Sequence, residues 1–255
     1  MKIIPILSAV VFTAAAVSSY AQTESGAMAT QGYLSYGAST SPTDGDFFGG
    51  PHRWSLGAFM DHDLRPVTIG GEKDTWQNDR LMAFVGFDPL TWITLQAGAG
   101  SSSLDLGDGS RDNKAEWQLA LRLRLLEYMI VDPPIGNEPY WLGIEAMGRF
   151  DHGRSDGELG IGNIEWDQYD AALTFHLSSR PERWMTVDKI DIFAGPGVST
   201  LDGTRKGGVS GNIRADNEFG FVGGLVFTLG SNFSLGVNVA DFGDLSYGGE
   251  VVFHF

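Results

Sequence analysis

Apolar and polar residues alternate with a period of two through one segment after another, from the middle of the chain to its end, which is the signature of strands with two unlike faces. The sharpest case runs from Glu116 to Tyr128. There Trp117, Leu119, Leu121, Leu123 and Leu125 share one face, and Gln118, Ala120, Arg122 and Arg124 share the other. A helix would set both arginines among the leucines, whereas a strand separates the two sets completely. Trp141 to Asp151, Gln168 to Leu177, Glu218 to Leu229 and Phe233 to Asp241 repeat the pattern. Trp54 to Asp61, Arg80 to Asp88, Trp92 to Leu104 and Lys189 to Leu201 show it more weakly, and Leu245 to Phe255 is the last such segment.

These segments predict an all-β fold: a closed antiparallel up-and-down transmembrane β-barrel of about ten strands, with twelve or eight as the alternatives. An even number puts both chain ends on one side. Short turns are then expected at Asp88 to Thr91, Val131 to Pro139, Ser178 to Thr186 and Gly230 to Asn232. Longer loops on the other side are expected at His62 to Asp79, Asp105 to Lys114, His152 to Asn163 and Asp202 to Arg214, with a tight turn at Phe242 to Asp244.

The start of the chain has a different character. Lys2 precedes an apolar run from Ile3 to Val17, and Ser19-Tyr20-Ala21 follows, with small residues where a signal peptidase needs them. The run is shorter than the ~20 residues of a spanning helix and is interrupted by Pro5, Ser8 and Thr13. The expected organisation is a signal peptide over residues 1–21, a flexible N-terminal segment over 22–53, rich in Gly, Ser, Thr and Asp, and a barrel over 54–255.

Composition narrows the function. With 17 Lys and Arg against 32 Asp and Glu, the chain lacks the basic surface that nucleic-acid binding requires. It has no cysteine, so neither disulfides nor thiol chemistry enter. No stretch after Ala21 is apolar for long enough to cross a membrane as a helix, which leaves a closed barrel as the way to span one. His52, His62, His152, His176 and His254 are scattered singly, and neither a metal site nor a cofactor is expected.

The end of the chain, Tyr247-Gly248-Gly249-Glu250-Val251-Val252-Phe253-His254-Phe255, alternates and stops on an aromatic residue. It resembles the C-terminal β-signal of bacterial outer-membrane proteins, carried here by Tyr247, Val251, Phe253 and Phe255. The resemblance implies a place in the cell outer membrane of a Gram-negative-type bacterium, reached through a cleaved signal peptide. It also implies handling by periplasmic chaperones and the barrel assembly machinery, and contact with outer-membrane lipid and lipopolysaccharide. It identifies no subfamily.

Two sets of residues follow from this reading. Trp54, Trp92, Trp117, Trp141, Trp166 and Trp184 fall near strand ends and are expected in two interfacial girdles, although Trp166 shares the parity of Gln168 and Asp170 and so belongs inside or beside a bulge. Arg122, Arg124, Glu145, Arg149, Asp170, Lys189, Asp191, Glu218 and Glu250 are expected to face the lumen and to pair across strands.

The expected role is structural or surface-interacting, with a charged and largely filled lumen. A narrow porin-like channel for ions or small solutes is the alternative. An enzyme is not expected. His176-Leu177-Ser178, with Glu182 downstream, resembles the His-x-Ser element of outer-membrane lipid A 3-O-deacylases, but Ser179 stands where that family has Asn. Asp61-His62-Asp63 resembles part of the acidic and histidine set of omptin-type proteases, without a second matching pair.

Overall fold

A computed structural model describes residues 53–90, 92–106, 109–130, 140–155, 163–179, 187–206, 211–229 and 233–254. The expected signal peptide, the segment 22–52, Trp184, Glu182, Phe255 and most of the short turns lie outside the described residues.

Ten antiparallel strands form a closed barrel: β1 (Arg53–Ile69), β2 (Glu72–Leu90), β3 (Ile93–Leu106), β4 (Gly109–Ile130), β5 (Tyr140–Ser155), β6 (Asn163–Ser179), β7 (Val187–Lys206), β9 (Phe219–Leu229), β10 (Phe233–Asp241) and β11 (Leu245–His254). Each contains or matches one of the ten segments read from the alternation. A further short strand, β8 (Gly211–Ala215), was not expected. The wall closes where β11 pairs with β1, from Ser55 opposite His254 to His62 opposite Tyr247. No sheet edge is left open there, which removes the usual liability of exposed backbone donors and acceptors.

The strands fall into two length classes, and this governs the architecture. β9, β10 and β11 have 11, 9 and 10 residues, about what a tilted strand needs to cross a bilayer. β1, β2, β4 and β7 have 17, 19, 22 and 20 residues and continue past them. Above the turn at Phe242 to Asp244 the gap between β7 and β1 is filled by β8, which pairs with β7 over Asp202 to Arg205 and with β1 over Val67 to Ile69. The ten-stranded barrel therefore narrows to an eight-stranded ring, β1 to β8, at the end away from Arg53 and His254.

Residues 62–79 are thus no loop but a continuous hairpin, which corrects that expectation. Gly70 and Gly71 carry φ of 61° and 98°, the conformation of a two-residue turn whose twist matches its strands. Strands also run into the expected loops at 105–114, 152–163 and 202–214, ending at Leu106, Ser155 and Lys206 and resuming at Gly109, Asn163 and Gly211.

The two faces exchange character along the strands. In the ten-stranded part the outward residues are apolar and exposed, among them Leu56, Leu81, Leu119, Leu173, Phe175, Ile192, Val237 and Phe253, and the inward ones are polar and buried. An apolar surface this continuous is unsuited to water and fits hydrocarbon. In the eight-stranded ring the outward residues are polar, such as Thr75, Asp79, Glu165, Asp202 and Arg214. Its inward ones form an apolar core of Val67, Ile69, Trp76, Leu104, Leu106, Ile164, Trp166, Leu201 and Ile213. The ring is built like a water-soluble barrel set on a membrane-type one.

Local irregularity matters at one place. A bulge between Arg124 and Leu126 shifts the register of β4 against β5. Beyond it Leu126 and Tyr128 point outward, while Leu125 packs beside Leu123 and Trp92 rather than continuing the leucine stripe as expected.

Candidate functional site

The interior is organised in layers. At the narrow end, the rings of Trp76 on β2 and Trp166 on β6 meet edge to face with centroids 5.3 Å apart. These strands lie opposite one another in an eight-membered ring, so their contact joins facing walls. Gly153 on β5 makes this possible, because a Cβ there would lie 2.2 Å from Cζ2 of Trp166. Both indoles are fully buried.

Beneath them runs a belt of buried ions. Arg80 grips Asp61 with two bonds, 2.7 and 2.5 Å, and reaches Glu116 and Asp151 at 3.5 Å. Arg149 contacts Asp151 at 2.7 Å and Asp170 at 2.6 Å. Ser199 donates to Asp170 and accepts from Arg65 at 2.7 Å. Arg65 in turn pairs with Asp63 at 2.8 Å, and Ser246 donates to Asp63 at 3.1 Å. The contacts pass from β1 through β2, β4, β5, β6 and β7 back to β1 and β11, encircling the lumen. Charges so buried contribute little net stability as pairs, yet breaking one pair strands a partner at a cost of several kcal/mol, roughly 3–5.

A second charged cluster lies toward the chain-terminal end. Arg122 and Arg124 approach Glu145 at 3.7 and 3.6 Å, and Arg124 approaches Glu127 at 3.4 Å. Asp191 accepts from Ser178 at 3.0 Å and lies 3.1 Å from Nδ1 of His176, whose Nε2 is 2.9 Å from the hydroxyl of Thr174. Arg122 also donates to Thr94, which donates to Asp88.

Of the nine residues expected in the lumen, Arg122, Arg124, Glu145, Arg149, Asp170, Lys189, Asp191 and Glu250 face inward; all but Arg124 are less than a tenth exposed as whole residues, and the Arg124 side chain is itself 9% exposed. Glu218 does not. It is exposed just before β9, because the alternation of that strand begins at Phe219. Missing from the expected set were Asp61, Asp63, Arg65 and Arg80, which stood in or next to a supposed loop, Glu116 and Asp151, which join the belt from β4 and β5, and Glu127, which the β4 bulge swings inward.

The expected girdle is divided. Trp54 and Trp117 are exposed outward, with Trp54 against Phe87 and Trp117 against Phe150, which continues to Tyr169. Trp92 is half-buried over Leu123. Trp141 and Trp166 are buried inside the barrel, on the parity of Glu145 and of Gln168, so neither is interfacial. Phe219, Phe221, Leu245 and Tyr247 are exposed at the top of the short strands. Val251 and Phe253 of the terminal motif also face outward.

Neither enzyme resemblance finds its geometry. His176 and Ser178 point into the lumen, where Asp191 holds both, so neither is presented on the outer face of the barrel. In Asp61-His62-Asp63 the strand sends both carboxylates inward and the imidazole outward, where it lies 2.6 Å from Asp79. Among the described residues, no group of three His, Cys, Asp or Glu is arranged to hold a metal ion.

No family model matches the chain, and no curated protein matches it in sequence. Solved structures of barrels align with it at low similarity. The translocator domain of the autotransporter NalP from Neisseria meningitidis aligns over 81% of this chain and 88% of its own, at 10% identity and a TM-score of 0.34. The Pseudomonas putida toluene transporter TodX aligns over 79% and 67%, at 10% identity and 0.24. OmpF of Salmonella typhi, in complex with daunomycin, aligns over 80% and 97%, at 9% identity and 0.21. The class defined by the chain's own strands is a closed antiparallel ten-stranded β-barrel with an apolar outer belt.

Proposed function

We propose that the chain is an integral outer-membrane β-barrel that does not conduct, and that it serves a structural or surface-interaction role through its projecting eight-stranded ring. In this reading a signal peptide exports it, chaperones and the assembly machinery deliver it, and the last strand, with Tyr247, Val251, Phe253 and Phe255, guides insertion. Lipopolysaccharide surrounds the polar flank of the ring, and the chain ends face the periplasm.

The observation that carries the non-conducting reading is the contact of Trp76 with Trp166. Water-filled pores keep facing walls apart with polar side chains. Here two indoles from opposite strands fill the narrow end, with apolar residues from four further strands around them.

The test is electrical. Full-length protein refolded in detergent and added to a planar bilayer is expected to insert without stepwise conductance at any voltage or salt concentration. Reproducible steps would overturn the closed reading in favour of a narrow channel. A folded barrel that migrates faster in gels before boiling than after it is the control for refolding.

A further inference from the structure

Within the wider part of the barrel, polar groups are left over from the two ion clusters. Glu250 on β11 is 6% exposed, and neither of its oxygens has a hydrogen-bond partner. Its cross-strand neighbours are Phe59 on β1 and Gly236 on β10. Phe59 and Phe84 stand together with centroids 6.3 Å apart and form an apolar wall with Met82 and Val252. Gly57 gives Phe84 its room, because a Cβ there would lie 2.3 Å from the ring. The amides of Gln96 and Gln118, on β3 and β4, are buried with oxygen and nitrogen both unpartnered.

A buried carboxylate without a donor is costly, and each buried amide left unmade adds to the cost. A cation bound beside it would supply the missing partner. Arg122 acts on Glu250 only through its field, since its hydrogen bond goes to Thr94 and its ion pair to Glu145. What the site offers is a carboxyl group beside Phe59 and the apolar wall it forms with Phe84, with amide oxygens in the same interior. That combination suits an ammonium head through charge and cation–π attraction, and an apolar body through the rings.

We propose that this part of the lumen binds a small organic ammonium ion, with Glu250 as counter-ion, Phe59 and Phe84 as the apolar wall, and Gln96 and Gln118 as acceptors for its N–H groups. The assignment does not depend on the membrane in which the barrel sits.

Benzylammonium and potassium, added separately to the refolded full-length barrel in detergent and followed by titration calorimetry, test it. Saturable binding of benzylammonium at one site is expected, with no comparable heat from potassium. Glu250→Gln keeps the shape and is expected to weaken binding by more than about tenfold, as loss of a hydrogen bond to a charged group does. Phe59→Leu, which leaves the carboxylate, is expected to weaken it less but measurably. No binding by the folded wild-type barrel, or equal binding by Glu250→Gln, overturns the proposal. Potassium competing as well as benzylammonium overturns it too, since the phenyl wall would then have no part.

Discussion

Trp76 and Trp166 touch at 5.3 Å although 89 positions of sequence and half the circumference of the ring separate them. The contact exists because β8 replaces three strands by one above the Phe242 to Asp244 turn, so that the wall closes on a smaller radius. Truncating either indole leaves a large void in an apolar core. Trp76→Ala and Trp166→Ala are each expected to cost about 3–5 kcal/mol. Denaturant unfolding of the refolded barrel, followed by the loss of β-sheet signal, measures this. A change under about 1 kcal/mol would show that the ring does not fold around these residues.

The same pair gives a spectroscopic expectation that does not require unfolding. Gly153→Ala places a methyl group where Cζ2 of Trp166 lies, so the indole must move off Trp76. Near-ultraviolet circular dichroism is expected to lose intensity in the tryptophan bands while the far-ultraviolet spectrum stays that of the wild type. An unchanged near-ultraviolet spectrum would contradict the packing.

Arg80 serves Asp61, Glu116 and Asp151 together, so Arg80→Met takes the cation from Asp61 and Glu116 at once and leaves Asp151 with Arg149 alone. A loss of roughly 3–5 kcal/mol is expected. Ionised carboxylates without their cation repel one another, and protonation relieves them. The deficit against wild type is therefore expected to shrink as pH falls from about 8 toward about 4. Equal deficits at both ends of that range would mean that the destabilisation comes from lost packing alone.

Much of this architecture was legible because a strand in a barrel has only two faces. Leu119, Leu121 and Leu123 opposite Arg122 and Arg124 declare β4 without help from any neighbour, and all ten barrel strands were found in that way. The ring was not legible, for a physical reason. On β1 the apolar residues point outward at Leu56 and Met60 but inward at Val67 and Ile69, so a reader holding one parity sees the pattern dissolve into a loop. The odd parity of Trp166 was the one visible trace of the exchange. Strand β8 has Ile213 as its single buried apolar residue and depends for its existence on the edges of β7 and β1, which no local pattern reveals. The ion belt was hidden with the ring, since Asp61, Asp63 and Arg65 stand where the supposed loop began.

The exchange of faces makes a prediction within a single strand. On β6 both Glu165 and Leu173 point outward and are exposed, but Glu165 belongs to the ring and Leu173 to the apolar belt. Arginine at Leu173 would sit in hydrocarbon, at a cost of roughly 2–4 kcal/mol if the position is near the midplane. Arginine at Glu165 would sit in water beside Arg154 and Lys206, and the exposed 3.6 Å contact with Lys206 that it would lose is worth little. Leu173→Arg is therefore expected to lower the refolding yield in lipid vesicles and to shift unfolding to lower denaturant, whereas Glu165→Arg refolds as wild type does. If both variants refolded equally well, the belt would end below Leu173. If both failed, the ring would lie inside the bilayer, and the polar flank formed by Thr75, Asp79, Asp202 and Arg214 would need a different solvent from the one assigned to it.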